Sequence, residues 1–448
     1  MSRNGGRTQS NLATRFSSPS PTALVAGTAA VGLAAMVFSR NLRAQITAPA
    51  NRAHLHSQTN FSSQEQGGKH APLKGLDWFS ELFGFAEASY AETKRWLQVV
   101  PCDESRVGQC LVSRVNWSEY GIGYFSTPRL DELRSRVNSK SLVGTLTVNN
   151  ETGDVTEKIA DPANLHATFQ VASQFNCLEF VGPNVTPEDG VTNYKEDRTQ
   201  GPACSIACGP ATVFRNYFAR LPAEGNGLSE QFGQTHDRMI DNLSDVSALL
   251  GNENKQLYDT RGGYTMADSG QIKKLNKRLE SFEEEKDKEK LRSALRVGVH
   301  EEVEVTATGW GQKILNRPSQ TVTQVFGSAC SVGYNRQSSP EQWQKFASIV
   351  LEASYDATLC AGLLAAQRHE GRDGSRRVFL TKLGGGVFGN PMEWIVAAMT
   401  RACERYKYYN LDVRIVTYAG EIDQLLQLLA NNYPQHAGVH SAARAGGS

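Results

Sequence analysis

At 448 residues, with 40% hydrophobic and 21% charged side chains, the chain has the apolar share of a globular protein and can bury a substantial core. Its formal net charge of +1 supplies no long-range field for gripping a polyanion, so nucleic acid is not expected as a partner.

Residues 1–70 read as a targeting or unstructured segment. No Asp or Glu occurs from Met1 to Gln64, while Arg3, Arg7, Arg15, Arg40, Arg43 and Arg52 stand among Ser, Thr, Ala and Gln. An acid-free, Arg- and Ser-rich start is transit-like, which makes an organelle, mitochondrion or plastid, the expected address. The apolar run from Thr22 to Phe38 sits at the short limit for a spanning helix. A membrane anchor through 22–38 and a secretory signal are therefore the alternatives.

Residues 75–145 read as an α+β layer. Trp78, Phe79, Leu82, Phe83, Phe85 and Ala86 fall on one helical face. A strand around Gly123 to Ser126 and a short helix from Leu130 to Asn138 follow, then a strand-turn-strand in SLVGTLTVNNETGDV. From 146 to 425 the pattern is α/β. ATFQVASQFNCLEFV suits a buried strand entering a loop, and Gly182 to Gln200 is a polar connection. Helical spacing returns at Val213, Phe214, Tyr217, Phe218 and Leu221. An insertion at about 221–295 ends in a charged helix, Ser269 to Leu295, whose mixed signs predict a solvated face. VGVHEEVEVT and TVTQVFGSACSVGY are strands, and Pro340 to Gln367 is a helix. RVFLTKL, PMEWIVAAMTRACERYKYY and LDVRIVTYA complete a strand, helix, strand unit, with 426–448 as a tail. Strands alternating with helices predict a mixed or mainly parallel sheet covered on both faces.

The eight cysteines form no CxxC pair, and none has a His at zinc-finger spacing, so no metal site and no cofactor are expected. Cys204 and Cys208 read as small buried apolar residues. Cys102 and Cys110 would pair in an oxidising compartment and stay free in a reducing one. Cys330 with His300 is the one thiol-and-base combination to consider, and His236 reads as a surface or core histidine.

The loop Gly384-Gly385-Gly386-Val387-Phe388-Gly389-Asn390 lies between a strand ending at Leu383 and a helix starting near Pro391. Glycines let backbone amides close on an anion, and a helix start adds positive potential. Phe388 is placed to pack on a sugar or base, and Asn390 to cap the helix or donate to a ligand. The other reading is a turn that only lets the helix approach the sheet, in a non-catalytic structural or interaction protein.

With its flanks, VFLTKLGGGVFGNPMEWIVAAMTRACERYKYYNLDVRIVTYA, this loop resembles the last βαβ unit of macrodomains, the ADP-ribose-binding modules. The resemblance implies a macrodomain-like mixed sheet and a small-molecule, ADP-ribose-like nucleotide as partner. It implies that Gly385, Gly386, Val387, Phe388 and Gly389 hold the diphosphate, with Asn390 at the helix start. Gly153-Asp154-Val155-Thr156 is similar to a turn of the same family, and Asn176 in FQVASQFN would face the distal ribose. Most macrodomains continue with a run of glycines, whereas this chain reads CLEFVGPNVTPEDGVTNYKEDRTQGPACSIA. The chain also resembles a set of proteins of unassigned function that carry the FQVASQFN and TQGPA blocks.

Gln174, Asn176, Gln200 and Gly201 are thus candidate ligand residues beside Gly384 to Asn390. If an ADP-ribosyl bond is cleaved, a carboxylate or a positioned water must meet the anomeric carbon. Asn176, Glu188 and Asp189 are the catalytic candidates, with Glu179 on the same loop and Gln200 placed to hold a water. Pro187-Glu188-Asp189-Gly190 also reads as a plain turn with solvated acids. Arg198 is either a surface charge or a phosphate contact.

Overall fold

The computed structural model describes residues 77–223, 229–418, 420 and 422–435, so the expectations for residues 1–70 and for the run 22–38 lie outside them. The first helix, α1 (Trp78–Phe83), starts where the Asp77 carboxylate accepts the Phe79 N–H, and it stops at Gly84, whose φ of 75° ends the turn. That stop splits the single helix expected here, and a second short helix, Tyr90–Arg95, leads into the sheet. Trp78, Phe79, Leu82 and Phe83 are buried, as their spacing predicts, whereas Ala86 is exposed.

The sheet strands in chain order are β1 (Leu97–Pro101), β2 (Gln109–Ser113), β3 (Glu119–Ser126), β4 (Thr147–Thr152) and β5 (Thr168–Ala172). β6 (Gly298–Glu304), β7 (Thr321–Gly327), β8 (Arg377–Leu380) and β9 (Asp412–Thr417) follow. They form one 9-stranded sheet in the order β1-β2-β3-β6-β7-β5-β8-β9-β4. The five strands from β7 to β4 run parallel, with Thr323 opposite Thr168, Val378 opposite Thr168 and Asp412 opposite Thr147. β6 is antiparallel to both β7 and β3, which joins the amino-terminal strands to the same sheet. A disulfide links Cys102 to Cys110 beside the β1–β2 pair.

Side-chain alternation on β5 shows why both faces are covered. Phe169 and Val171 pack with Val155 and Ile159 of α2 (Val155–Ala160) and with Ala203, Cys204 and Ala207 of α3 (Gln200–Ala207). α4 (Gly209–Tyr217) follows α3 directly, with Cys208 as its cap. Gln170 points the other way and donates to Thr358 at 3.1 Å. Beyond α5 (Ser269–Leu279) and α6 (Glu285–Ala294), Thr358 belongs to the long α7 (Pro340–Arg368). α7 is long and apolar enough to cross a membrane, yet 89% of its most apolar stretch is buried, so it is the core helix of this face. α8 (Met392–Tyr406) lies against α7, and α9 (Gln424–Asn431) begins where a tail was expected.

Three expectations are corrected. SLVGTLTVNNETGDV contains one strand, because Asp154 caps α2 by accepting the Thr156 N–H at 2.7 Å and so ends the extended run. The charged helix is two helices, α5 and α6, broken at Glu280–Phe282. Nor is α6 merely solvated: Arg292 is 1% exposed and bonds Glu289 at 2.9 Å and Glu352 of α7 at 2.8 Å. Glu289 also meets Arg134 at 2.5 Å and Arg401 of α8 at 2.9 Å, so the mixed charges form a network that clamps α6 onto α7 and α8.

Candidate functional site

A cleft of about 410 Å³ lies beyond the carboxyl ends of the parallel strands, within the usual size of small-molecule sites. Each parallel strand contributes to its wall: Gly153 after β4, Ser173 and Gln174 after β5, Ala329 after β7, Thr381 to Phe388 after β8, and Tyr418 after β9. Sheet order accounts for this placement. β5 has β7 on one side, while the chain leaving β8 returns as β9 on the other, so the loops after β5 and β8 diverge and leave a crevice.

The glycine loop is held by its own backbone. Gly385 donates to the Lys382 carbonyl, Gly389 to Gly386 and Asn390 to Gly384, each at 2.9 Å. Gly384 sits at φ 72°, and a Cβ there would collide with Ala329. Gly385 packs against Ile395 of α8, but Gly386 meets no protein atom within 4 Å of the position a Cβ would take. The amides of Gly386, Val387 and Phe388 have no protein acceptor among the described residues, and all three residues line the cleft. Successive unpaired N–H groups are the material of anion-binding concavities. α8 starts at Met392, and Pro391, Met392 and Glu393 are off the wall, so the helix dipole expected at this site lies elsewhere. Positive charge comes instead from Lys382 and Arg198, which both line the cleft.

Two aromatic groups complete the walls. Phe388 packs on Tyr264 at 5.2 Å and on Tyr334 at 5.7 Å between ring centroids. Tyr264 comes from a hairpin in the insertion, Asp259–Arg261 with Tyr264–Met266, and its hydroxyl donates to the Phe180 carbonyl at 2.6 Å. The other group is built on Gly153-Asp154-Val155-Thr156. Asp154 accepts the Trp310 indole N–H at 2.9 Å, Tyr418 stands edge-on to that indole, and the Arg198 guanidinium lies 5.1 Å over it. Gly153, Val155, Trp310 and Tyr418 all line the cleft.

Glu179 is the titratable group that the cleft wall sets apart. It is 2% exposed and its Oε1 has no hydrogen-bond partner. Desolvation pushes its carboxyl well above the usual range, against the Arg215 guanidinium and the Ser173 hydroxyl, which pull it down. Its backbone N–H donates to the Tyr194 hydroxyl at 2.8 Å, which fixes its place in the loop. Arg215 is buried, held by the Cys177 carbonyl at 3.1 Å and by Ser205 and Thr212, and lies over the Phe326 ring at 3.8 Å. A cation fixed beside a desolvated carboxyl is the kind of environment in which catalytic acids are tuned.

The residues expected at the site divide into two groups. Gln174, Gln200, Gly384, Gly385, Gly386, Val387 and Phe388 line the cleft. Gln174 exchanges two hydrogen bonds with the Phe180 backbone, donating at 3.1 Å and accepting at 3.0 Å. Gln200 accepts the Ala172 N–H at 2.8 Å and donates to the Gln170 carbonyl at 2.7 Å, so its amide closes the end of β5 and is not free to hold a water. Gly201 lies behind the wall, where a Cβ would strike the Ala172 carbonyl and the Glu179 carboxylate. Gly389 and Asn390 are likewise off the wall, and the Asn390 amide donates to the Cys330 carbonyl at 2.8 Å.

The three catalytic candidates are not on the wall either. Asn176 is fully buried, donating to the Gly262 carbonyl at 3.1 Å and accepting the Leu178 N–H at 3.1 Å, with the Gly262-Gly263 turn of the hairpin packed on it. Glu188 accepts the His236 backbone N–H at 2.9 Å, and Asp189 accepts the Thr186 N–H at 2.8 Å as a cap. The insertion supplies the turn that buries Asn176. Cys330 is buried with its thiol pushed up by desolvation, and His300, also buried, faces Arg215, so neither activates the other. Lys382, Tyr264, Tyr334, Trp310 and Tyr418 were not anticipated as site residues. Only Lys382 carried a signal, by directly preceding the glycine loop.

No family model and no curated protein matches the chain. Among solved structures it is similar to poly(ADP-ribose) glycohydrolase from Thermomonospora curvata bound to the inhibitor ADP-HPD, at 12% identity and a TM-score of 0.35, over 69% of this chain and 85% of that one. It is similar also to poly(ADP-ribose) glycohydrolase from Deinococcus radiodurans in complex with ADP-ribose, at 12% identity and a TM-score of 0.34, over 77% of this chain and 96% of that one. A likeness so loose leaves the fold defined by this chain's own strand pairing. That pairing makes it an α/β protein with a mixed sheet, helices on both faces and a ligand-sized crevice at the strand ends.

Proposed function

We propose that the cleft binds ADP-ribose or a closely related nucleotide diphosphate, and that Glu179 serves cleavage of an ADP-ribosyl bond there. The observation that carries the binding reading is the run of unpaired amides at Gly386, Val387 and Phe388, flanked by Lys382 and set between two aromatic groups. Amides and a cation suit a diphosphate, and the aromatic walls suit the flat or apolar faces of a base and a ribose. The hydrolytic reading rests on Glu179. A carboxyl kept protonated by burial can give its proton to the leaving oxygen and then take one from the attacking water. A non-catalytic packing role for the glycine loop accounts for Gly384 and Gly385, but leaves the three free amides without a purpose.

ADP-ribose is the first ligand to test, by thermal shift of the full chain. At 100 times its dissociation constant it should stabilise the fold by about 2.7 kcal/mol. Phe388→Ala should weaken or abolish that shift. Absence of any shift with ADP-ribose, ADP or NAD removes the binding reading.

A further inference from the structure

Far from the cleft, at the amino ends of the parallel strands, three side chains converge whose chemistry the cleft does not use. His166 lies just before β5, Glu302 is in β6, and His369 caps the carboxyl end of α7. His369 Nε2 is 2.6 Å from Glu302 Oε1, and His166 Nδ1 is 3.3 Å from Glu302 Oε2. One ligand atom from each residue lies within 4.8 Å of the others, a space that a single ion would span. We propose that His166, Glu302 and His369 bind one divalent transition-metal ion, Zn²⁺ being the ordinary occupant.

Two features separate this cluster from a chance ion pair. His166 and Glu302 both have left-handed backbones, at φ 63° and 57°, and the β6–β7 register shifts between His300 and Val303. Residues with a Cβ resist that conformation, and here two of them adopt it and bring their side chains together. The two imidazoles are stacked, with centroids 3.6 Å apart and planes 11° apart. Stacked rings hold their in-plane lone pairs parallel, so one imidazole must turn about its Cβ–Cγ bond for both to meet a single ion. Thr321 donates to Glu302 Oε2 at 2.9 Å and lies 3.1 Å from His166 Nδ1, an outer partner of the kind that orients a metal-binding carboxylate. Arg368 approaches Glu302 at 3.5 Å but makes its shorter ion pair with Glu301, leaving the carboxylate to the rings. Two His and one Glu form a recurrent zinc donor set that keeps a fourth position for water, and the His side chains, 17% and 15% exposed, leave solvent access. The three residues are far apart in sequence, so no spacing motif announces them. A bound ion would pin the end of α7 to β6 and to the start of β5.

The test uses the full chain after chelator treatment, titrated with Zn²⁺ by calorimetry and with Co²⁺ by visible absorption. One ion per chain is expected, with Co²⁺ d–d bands from nitrogen and oxygen donors and no thiolate charge-transfer band. Loss of an outer partner costs metal sites 10–100-fold in affinity, so losing a ligand in His369→Ala or Glu302→Gln should cost more than about 100-fold. Thr321→Val should cost about 10-fold. The melting temperature of the wild type should rise with Zn²⁺, and that of His369→Ala should not. No stoichiometric binding by the wild type, a thiolate band, or affinity unchanged in both ligand variants overturns the proposal. Should a variant fail to fold, the wild-type Co²⁺ spectrum still decides.

Discussion

Replacing Glu179 by Gln separates the chemistry of the cleft from its architecture. The amide keeps the shape of the side chain but cannot ionise. In the wild type the folded carboxyl titrates above its unfolded range of about 4.3 because burial penalises the charge. The stability tied to this proton is therefore fully present below the unfolded value and is lost as pH rises through the folded one. With Oε1 buried and unpaired, ionisation places charge where no hydrogen bond meets it, so the folded state loses ground as the proton leaves. Denaturant melts should then show Glu179→Gln gaining steadily on the wild type as pH rises above about 4. In the same variant, release of ADP-ribose from mono-ADP-ribosylated protein should fall by about 10²–10⁴-fold, the usual weight of a general acid. Its affinity for ADP-ribose by calorimetry should stay near that of the wild type. Wild-type turnover should decline as pH rises through the folded value, because the acid must carry its proton. Equal turnover by variant and wild type would refute the catalytic role, and parallel pH–stability curves would refute the desolvation on which it rests.

The glycines of the loop should behave differently from one another. Gly384→Ala meets Ala329 and a left-handed backbone and should cost more than about 1 kcal/mol, while Gly386→Ala, facing open space, should change stability by under about 0.5 kcal/mol in thermal melts. Burial raises the Glu289 carboxyl, but Arg134, Arg292 and Arg405 outweigh it and draw it down to about 2. The clamp it forms should contribute up to about 3 kcal/mol at pH 7, vanishing as pH falls from about 4.5 through about 2. Glu289→Gln should accordingly lag the wild type at pH 7 and close most of the gap by pH 2. Reducing Cys102–Cys110, a bridge between residues eight apart, should cost about 2.5 kcal/mol by loop entropy, read from melts with and without reductant.

Periodicity and turn chemistry made much of the sheet legible in advance. VGVHEEVEVT, TVTQVFGSACSVGY, RVFLTKL and LDVRIVTYA each contain a strand, because apolar β-branched residues in short runs suit a half- or fully buried pleat. The aromatic run after Trp78 misled, since apolar spacing continues past Gly84 while the backbone does not. Gly384 to Phe388 showed in sequence because glycine is itself a backbone signal. Asn176 and Glu179 illustrate the limit. They are three positions apart on one loop, and only the fold of the insertion, through Gly262 and Gly263, decides that Asn176 is covered while Glu179 reaches the wall. Tyr264, Trp310 and Tyr418 were silent for the same reason, their neighbours being distant in the chain.

The central strand β5 finds its two sheet partners only in residues 321–327 and 377–380. During synthesis Thr168–Ala172 therefore leaves the ribosome with both edges unpaired, and it stays so until most of the protein has been made. A chain interrupted before Arg377 would own Glu179 but no glycine loop, and would carry an open strand edge prone to sticking to its fellows. The pairing of β5 is thus completed only once Arg377–Leu380 have been made.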